Sequence, residues 1–184
     1  MSSLAPKHDV EGFLARLNGE SPRSRILLEA GMLEELLRSA ILKRLASNRS
    51  SQELFGEESN LGLAMLAKYA HALGIIGSLE LEAIKKLAKV RNKIAHNWSA
   101  DFSEIALQKI AREIQLVRLQ GEQVMQDHQR CFARLDYLGI FLIEEFLNRF
   151  SKIPRTSYDG GVFTRGLVVD PATGTCTKTV GPDQ

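Results

Sequence analysis

Cysteine is scarce. Cys131 and Cys176 are the only two in 184 residues. Their spacing fits no metal-binding motif, which sets aside a disulfide-framed secreted domain and a zinc site and makes both free thiols of a reducing compartment. Long apolar runs are missing too: no stretch approaches the roughly 18 residues of a membrane span. Residues Met1 to His8 lack the apolar centre of a signal peptide. Charge of one sign is not in excess, with 24 basic against 22 acidic residues and a net +2, a balance that argues against a protein that generally coats nucleic acid. There is no Walker-type phosphate loop, no Rossmann fingerprint, no internal repeat and no paired metal motif. The expectation is a soluble cytoplasmic protein with no cofactor and no metal, long enough for one domain with a sizeable core.

Proline and glycine gather near the end. Three of five prolines and five of fourteen glycines fall in residues 154–184. Val162 to Val169 and Thr175 to Val180 read as two strands around the turn-forming Asp170-Pro171-Ala172-Thr173-Gly174. Such a hairpin is marginal alone, so it either docks or is disordered. The division is residues 8–152 for a helical bundle and 153–184 for this tail.

What fills the rest is helical periodicity. Lys7 to Leu17 has a face of Val10, Phe13, Leu14 and Leu17. Ser21-Pro22 opens a long helix, Arg23 to Ala46, with Ile26, Leu27, Ala30, Leu33, Leu37, Ala40, Ile41 and Leu45 on one broad stripe. Ser47 to Asn60 reads as a connector with a Leu54-Phe55 plug. Leu61 to Leu73 is a helix rich in small residues that Gly74 ends; His71 on it reads as a packed, hydrogen-bonded histidine. Glu104 to Leu119 is amphipathic, Gly121 allows a break, and Glu122 to Ser151 closes the bundle. His128 reads as a surface residue. The run from Tyr137 to Phe150 is apolar on more than one face, which implies deep burial or an interface and hints at a homodimer or higher homo-oligomer. The fold class is all-α, a mostly antiparallel bundle with a small extended or hairpin tail.

The chemistry concentrates at the centre of the chain, in Leu87 to Trp98. Ser78 reads as the N-cap of the helix leading there, Glu80 and Glu82 favour its first turn, and Glu82 has Lys86 four residues on. Continuing the apolar stripe of Ile84 and Leu87 lands on Arg91, a guanidinium on the face that should be buried, which requires a carboxylate, carbonyls or a phosphate-like ligand. Glu29, Glu34 and Glu35 are its candidate partners, with Glu34 nearest the stripe. Lys85, Lys89, Asn92, Lys93 and His96 share another, basic face. Arg91 and His96 point about 140° apart on a regular helix. They meet on one ligand only if the helix ends or distorts near Ala95, or across a two-fold between chains; Asn97 and Ser99 favour a helix stop nearby. Arg25 and Arg38 are candidates to extend a phosphate-binding surface, against the plainer role of a solvated face. Trp98 either caps the core or stacks on a base.

His96 as proton carrier, Arg91 as phosphate holder and Asn92 as positioning group suit metal-free RNA cleavage by 2′-hydroxyl attack. The plainer alternative is a helix end at which His96 and Lys93 complement the dipole and Arg91 is tied to an acid.

Arg91-Asn92-Lys93-Ile94-Ala95-His96 resembles the signature of HEPN domains. With Phe55-Gly56, Asn60-Leu61-Gly62, the stretch Lys68 to Ile76, Ile84 through His96 and the upstream Arg25 to Leu45 helix, the text of residues 10–150 is similar to the mannitol operon repressor family. The resemblance implies a HEPN-like bundle and a regulator of gene expression acting through RNA or a protein partner. An intact motif implies instead a metal-independent endoribonuclease of toxin or defence type, working as a dimer with Arg91, Asn92 and His96 as catalytic residues. A non-catalytic dimerisation module is the third alternative. Lys85, Lys89 and Lys93 are the expected nucleic-acid contacts. No helix reads as a DNA-recognition helix, so sequence-specific DNA binding is not expected.

Overall fold

In the computed structural model, residues 10–45, 48–56, 59–97, 99–115, 125–150, 152–153, 167–169 and 176–178 are described. They form seven helices: α1 (Val10–Leu17), α2 (Pro22–Arg44), α3 (Arg49–Phe55), α4 (Leu63–Ala72), α5 (Ser78–His96), α6 (Ile105–Arg112) and α7 (Asp127–Phe150). The bundle is all-α, as the periodicity predicts. Two short strands, β1 (Leu167–Val169) and β2 (Cys176–Lys178), pair antiparallel within the expected hairpin, with Val168 opposite Thr177.

α2 is the central helix, packed on α7, α4, α5 and α3. Its start follows from its residues. The Ser21 hydroxyl accepts the Ser24 N–H at 3.2 Å, and Pro22 occupies the first turn, where its missing donor costs nothing. Its core stripe of Ile26, Ala30, Leu33, Leu37, Ala40 and Ile41 is completely buried. α4 ends as predicted at Gly74, the described glycine with positive φ (69°). The Ile75 N–H reaches the Ala70 carbonyl and the Gly74 N–H that of His71, at 2.8 and 2.9 Å, the paired bonds of a Schellman motif.

Five expectations need correction. The connector contains α3, whose N-cap is Asn48: its Oδ1 accepts the Ser51 N–H at 2.9 Å. Phe55 is the plug, set edge-on to Tyr69 at 5.0 Å, while Leu54 points outward. Arg25 and Arg38 form no phosphate surface. Arg25 binds Asp136 on α7, and Arg38 donates to the Gly56 carbonyl at 2.8 Å and that of Leu61 at 3.3 Å, holding the α3–α4 connection. The helix expected over Glu104 to Leu119 stops at Arg112, and the last helix starts at Asp127 rather than Glu122; Gly121 lies outside the described residues.

The apolar run of α7 is spent largely inside one chain. Leu138, Leu142, Ile143, Phe146 and Phe150 are buried, and Phe141 and Leu147 pack on the same core. Most of the run is core of the one chain, with Tyr137 at its start half-exposed.

Candidate functional site

α5 begins one residue earlier in its capping than expected. Gly77, not Ser78, is the N-cap, and the Glu80 carboxylate reaches back to accept the Gly77 N–H at 2.8 Å. Arg149 of α7 pairs with the same carboxylate, which fixes the start of α5 against the bundle. Burial is the largest single influence on Glu80 and would raise it, but the hydrogen bonds from Arg149 and Gly77 and the charge of Arg149 together outweigh it and hold the carboxyl below the usual carboxylate range. Glu82 pairs with Lys85 at 2.8 Å, not with Lys86, whose ammonium instead donates to the Glu113 carbonyl at the end of α6. His71 is half-buried, with its Nε2 3.4 Å from the Ser78 hydroxyl, a packed, hydrogen-bonded histidine as expected.

Ala83, Ile84, Leu87, Ala88, Val90 and Ile94 form the buried face of α5. Arg91 continues that face at the edge of the core, with its side chain 34 % exposed. Of the three carboxylates considered, Glu34 is its partner, at 3.7 Å. That distance is an ion pair and no hydrogen bond. Glu34 is engaged by the α4 N-terminus, where Leu63 N–H donates to it at 3.0 Å. The hydrogen bond Arg91 does make is with its neighbour: Nη1 donates to Asn92 Oδ1 at 3.0 Å.

α5 runs unbroken to His96 and is closed by Asn97, whose Oδ1 accepts the Ser99 hydroxyl at 2.8 Å and its N–H at 3.2 Å. The Arg23 guanidinium holds the Asn97 carbonyl at 3.1 Å, tying this end to the start of α2. The helix stop predicted near Asn97 and Ser99 is therefore present, but it comes after His96. Arg91 and His96 retain their separation of about 140° around the axis. His96 is exposed and its ring has no hydrogen-bond partner among the described residues. Within one chain Arg91 faces α2 and α4 while His96 faces outward, so one chain does not bring them together. Trp98 lies outside the described residues.

The basic face of α5 is real but partly neutralised. Lys85 is paired with Glu82, and Lys93 with Glu104 just before α6. Lys89 is exposed. A groove of about 390 Å³ opens between α5 and α6, lined by Lys89, Lys93, Ala106, Lys109, Ile110 and Glu113. Lys109 is the residue that sequence reasoning missed. Its only signal is its place on the outer side of a short amphipathic helix, and the sequence does not say which helix that side faces. Chemically, the groove offers the ammonium groups of Lys89 and Lys109 and that of Lys93, which Glu104 pairs, over Ala106 and Ile110 with Glu113 at its edge, and Asn92 and His96 lie on the same face of α5: a surface for phosphate groups, with hydrogen-bonding side chains beside it.

Among the described residues no cluster of three potential ligands could hold a metal ion, and no helix is long and apolar enough to cross a membrane. Cys131 is buried and unbridged, and burial pushes its thiol up to about 11, away from a reactive thiolate. Compared with models of protein families, with curated proteins and with solved structures, the chain matches none.

Proposed function

We propose that the chain is a cytoplasmic regulator of gene expression that binds RNA through the α5–α6 face. The observation that carries this reading is the convergence of Lys89, Lys93 and Lys109 on one groove beside the exposed Asn92 and His96. Lysines from two helices gather here in a chain whose overall charge is only +2, and with Glu104 pairing Lys93 and Glu113 in the lining the positive charge is local and directional. The regulatory role rests on the resemblance to the mannitol operon repressor family. Recognition of DNA sequence is no part of the proposal.

The test is the affinity of purified protein for a labelled single-stranded RNA, with Lys89→Ala/Lys93→Ala/Lys109→Ala prepared alongside. The expected result is binding that weakens about tenfold or more in the triple variant, across RNA sequences alike, because phosphate contacts position without reading bases. Equal affinity in the two proteins would remove this face as the contact surface and shift the weight to a protein partner.

A second reading is a metal-independent endoribonuclease. The Arg91–Asn92 hydrogen bond favours it, because it orients a guanidinium whose carboxylate partner is too distant to occupy its donors. With Arg91 and His96 on different sides of α5, this reading requires two chains at one cleft. Its test is cleavage of varied RNAs in EDTA. Activity that survives chelation and vanishes in both Arg91→Ala and His96→Ala, with fold and oligomeric state kept, supports it; cleavage equal in the variants rejects the site.

A further inference from the structure

In the middle of the apolar stripe of α2, between Ile26, Ala30 and Leu33, sits a carboxyl group. Glu29 is completely buried. Neither of its oxygens has a hydrogen-bond partner among the described residues. Facing it on α7 is Gly139, where a Cβ would fall 2.2 Å from Glu29 Oε2 and 2.9 Å from its carboxyl carbon. The missing side chain at 139 is the space the carboxyl group occupies.

The charged groups facing Glu29 are Arg25, one turn earlier on α2, and Asp136 on α7. Arg25 is already committed. Its Nε and Nη2 grip Asp136 at 2.5 and 2.9 Å, and its Nη1 donates to the Leu17 carbonyl at the end of α1 at 3.0 Å. Glu29 is left without a donor and faces another acceptor, the Asp136 carboxyl group that Arg25 holds from α7. Two carboxylates there repel each other, whereas two carboxyl groups holding one proton attract. An ionised carboxylate without a donor in a buried helix seam is also far costlier than the neutral acid.

We propose that Glu29 is a neutral acid in the folded protein, donates its proton to the Asp136 carboxylate, and makes the α2–α7 seam a latch that loosens when that proton is withdrawn. Arg25 holds the charged member of the pair, and through the Leu17 carbonyl the latch also secures α1. Burial first, and Asp136 after it, push Glu29 from an ordinary 4.5 up to about 10. The folded chain thus keeps a proton that the unfolded chain releases. Stability from this group is complete below the ordinary carboxylate range and is lost progressively as pH rises toward about 10.

The test compares urea unfolding of the full chain with that of Glu29→Gln, which keeps the shape and an N–H donor for Asp136 but cannot ionise. Between about pH 6 and pH 9 the wild-type unfolding constant should rise about tenfold per pH unit relative to that of the variant. Parallel pH dependences would overturn the proposal. Infrared spectra of the wild type alone provide a reading that does not depend on the variant folding. At about pH 8, where ordinary carboxyl groups are ionised, the native protein should show a protonated carboxyl band that disappears on unfolding, and its absence would overturn the proposal equally. Gly139→Ala should weaken wild-type folding but cost little in a Glu29→Ala background. An equal cost in both would show that the glycine is not shaped around the carboxyl group, and the latch would lose its geometry.

Discussion

Arg25→Ala should destabilise the protein by about 3–5 kcal/mol, the range for removing one partner of a largely buried ion pair. Arg25 and Asp136 each retain 17 % side-chain exposure and meet through two parallel hydrogen bonds across α2 and α7. The third bond, to the Leu17 carbonyl, anchors the end of α1. Alanine breaks all three and leaves the Asp136 carboxylate facing Glu29 with no cation between helices. The loss should shrink when Asp136→Asn is added, because the stranded charge goes with its partner. Such a coupling is the mark of a direct pair, whereas unrelated sites would add. Urea unfolding of both single variants and the double variant measures it. Additive losses would mean that the pair contributes no mutual stabilisation.

Phe146→Ala should cost about 3–5 kcal/mol, since a large buried ring is removed and the cavity closes only in part. Phe146 is 2 % exposed, in the part of α7 that faces the core, with the Arg149 guanidinium 5.6 Å from its ring centre. Against a total stability of about 5–15 kcal/mol for an ordinary domain, that loss threatens folding at elevated temperature. Tyr137→Ala on the same helix is the comparison. Tyr137 is half-exposed, and a change there should stay within about 0.5 kcal/mol. Thermal and urea unfolding should rank the two widely apart. Equal losses would mean that the outward side of α7 is covered in solution, as it would be between two copies of the chain.

The helices that carry the bundle are legible because their apolar residues repeat at 3.6. The stripe of α2 from Ile26 to Ile41, and the core side of α7, need no partner to be recognised. The direction of Arg91 follows from the same count, and so does Glu34 as the carboxylate nearest the stripe. Short elements are less legible. α3 has seven residues, too few for a period, and its start depends on one Asn48 side chain. Ser78 looks like the better cap of α5 in the sequence, but Gly77 takes that place because Glu80 caps it from within the helix.

Long-range pairs are invisible to periodicity. Arg25 and Asp136 lie 111 positions apart, and an arginine at the edge of an amphipathic helix reads as solvated until the opposing helix is known. Glu29 looks like one more charged residue among α2's glutamates, and Gly139 like a weak point in α7. Only their juxtaposition shows that one makes room for the other. Lys109 has the same history: on α6 alone it is an ordinary outward lysine, and the groove exists only once α5 and α6 are packed.

The surface proposed to take RNA phosphates is the α5–α6 groove. The most direct measurement is the salt dependence of RNA affinity for the wild type and for Lys89→Ala/Lys93→Ala/Lys109→Ala. Each phosphate contact with a single strand contributes about 0.7 to the slope of log affinity against log salt, so losing three should flatten it by about 2. A wild-type slope that falls by that amount in the variant, with folding unchanged, is the predicted result. Affinity with the same slope in both proteins, or no affinity for RNA at low salt, would contradict the claim.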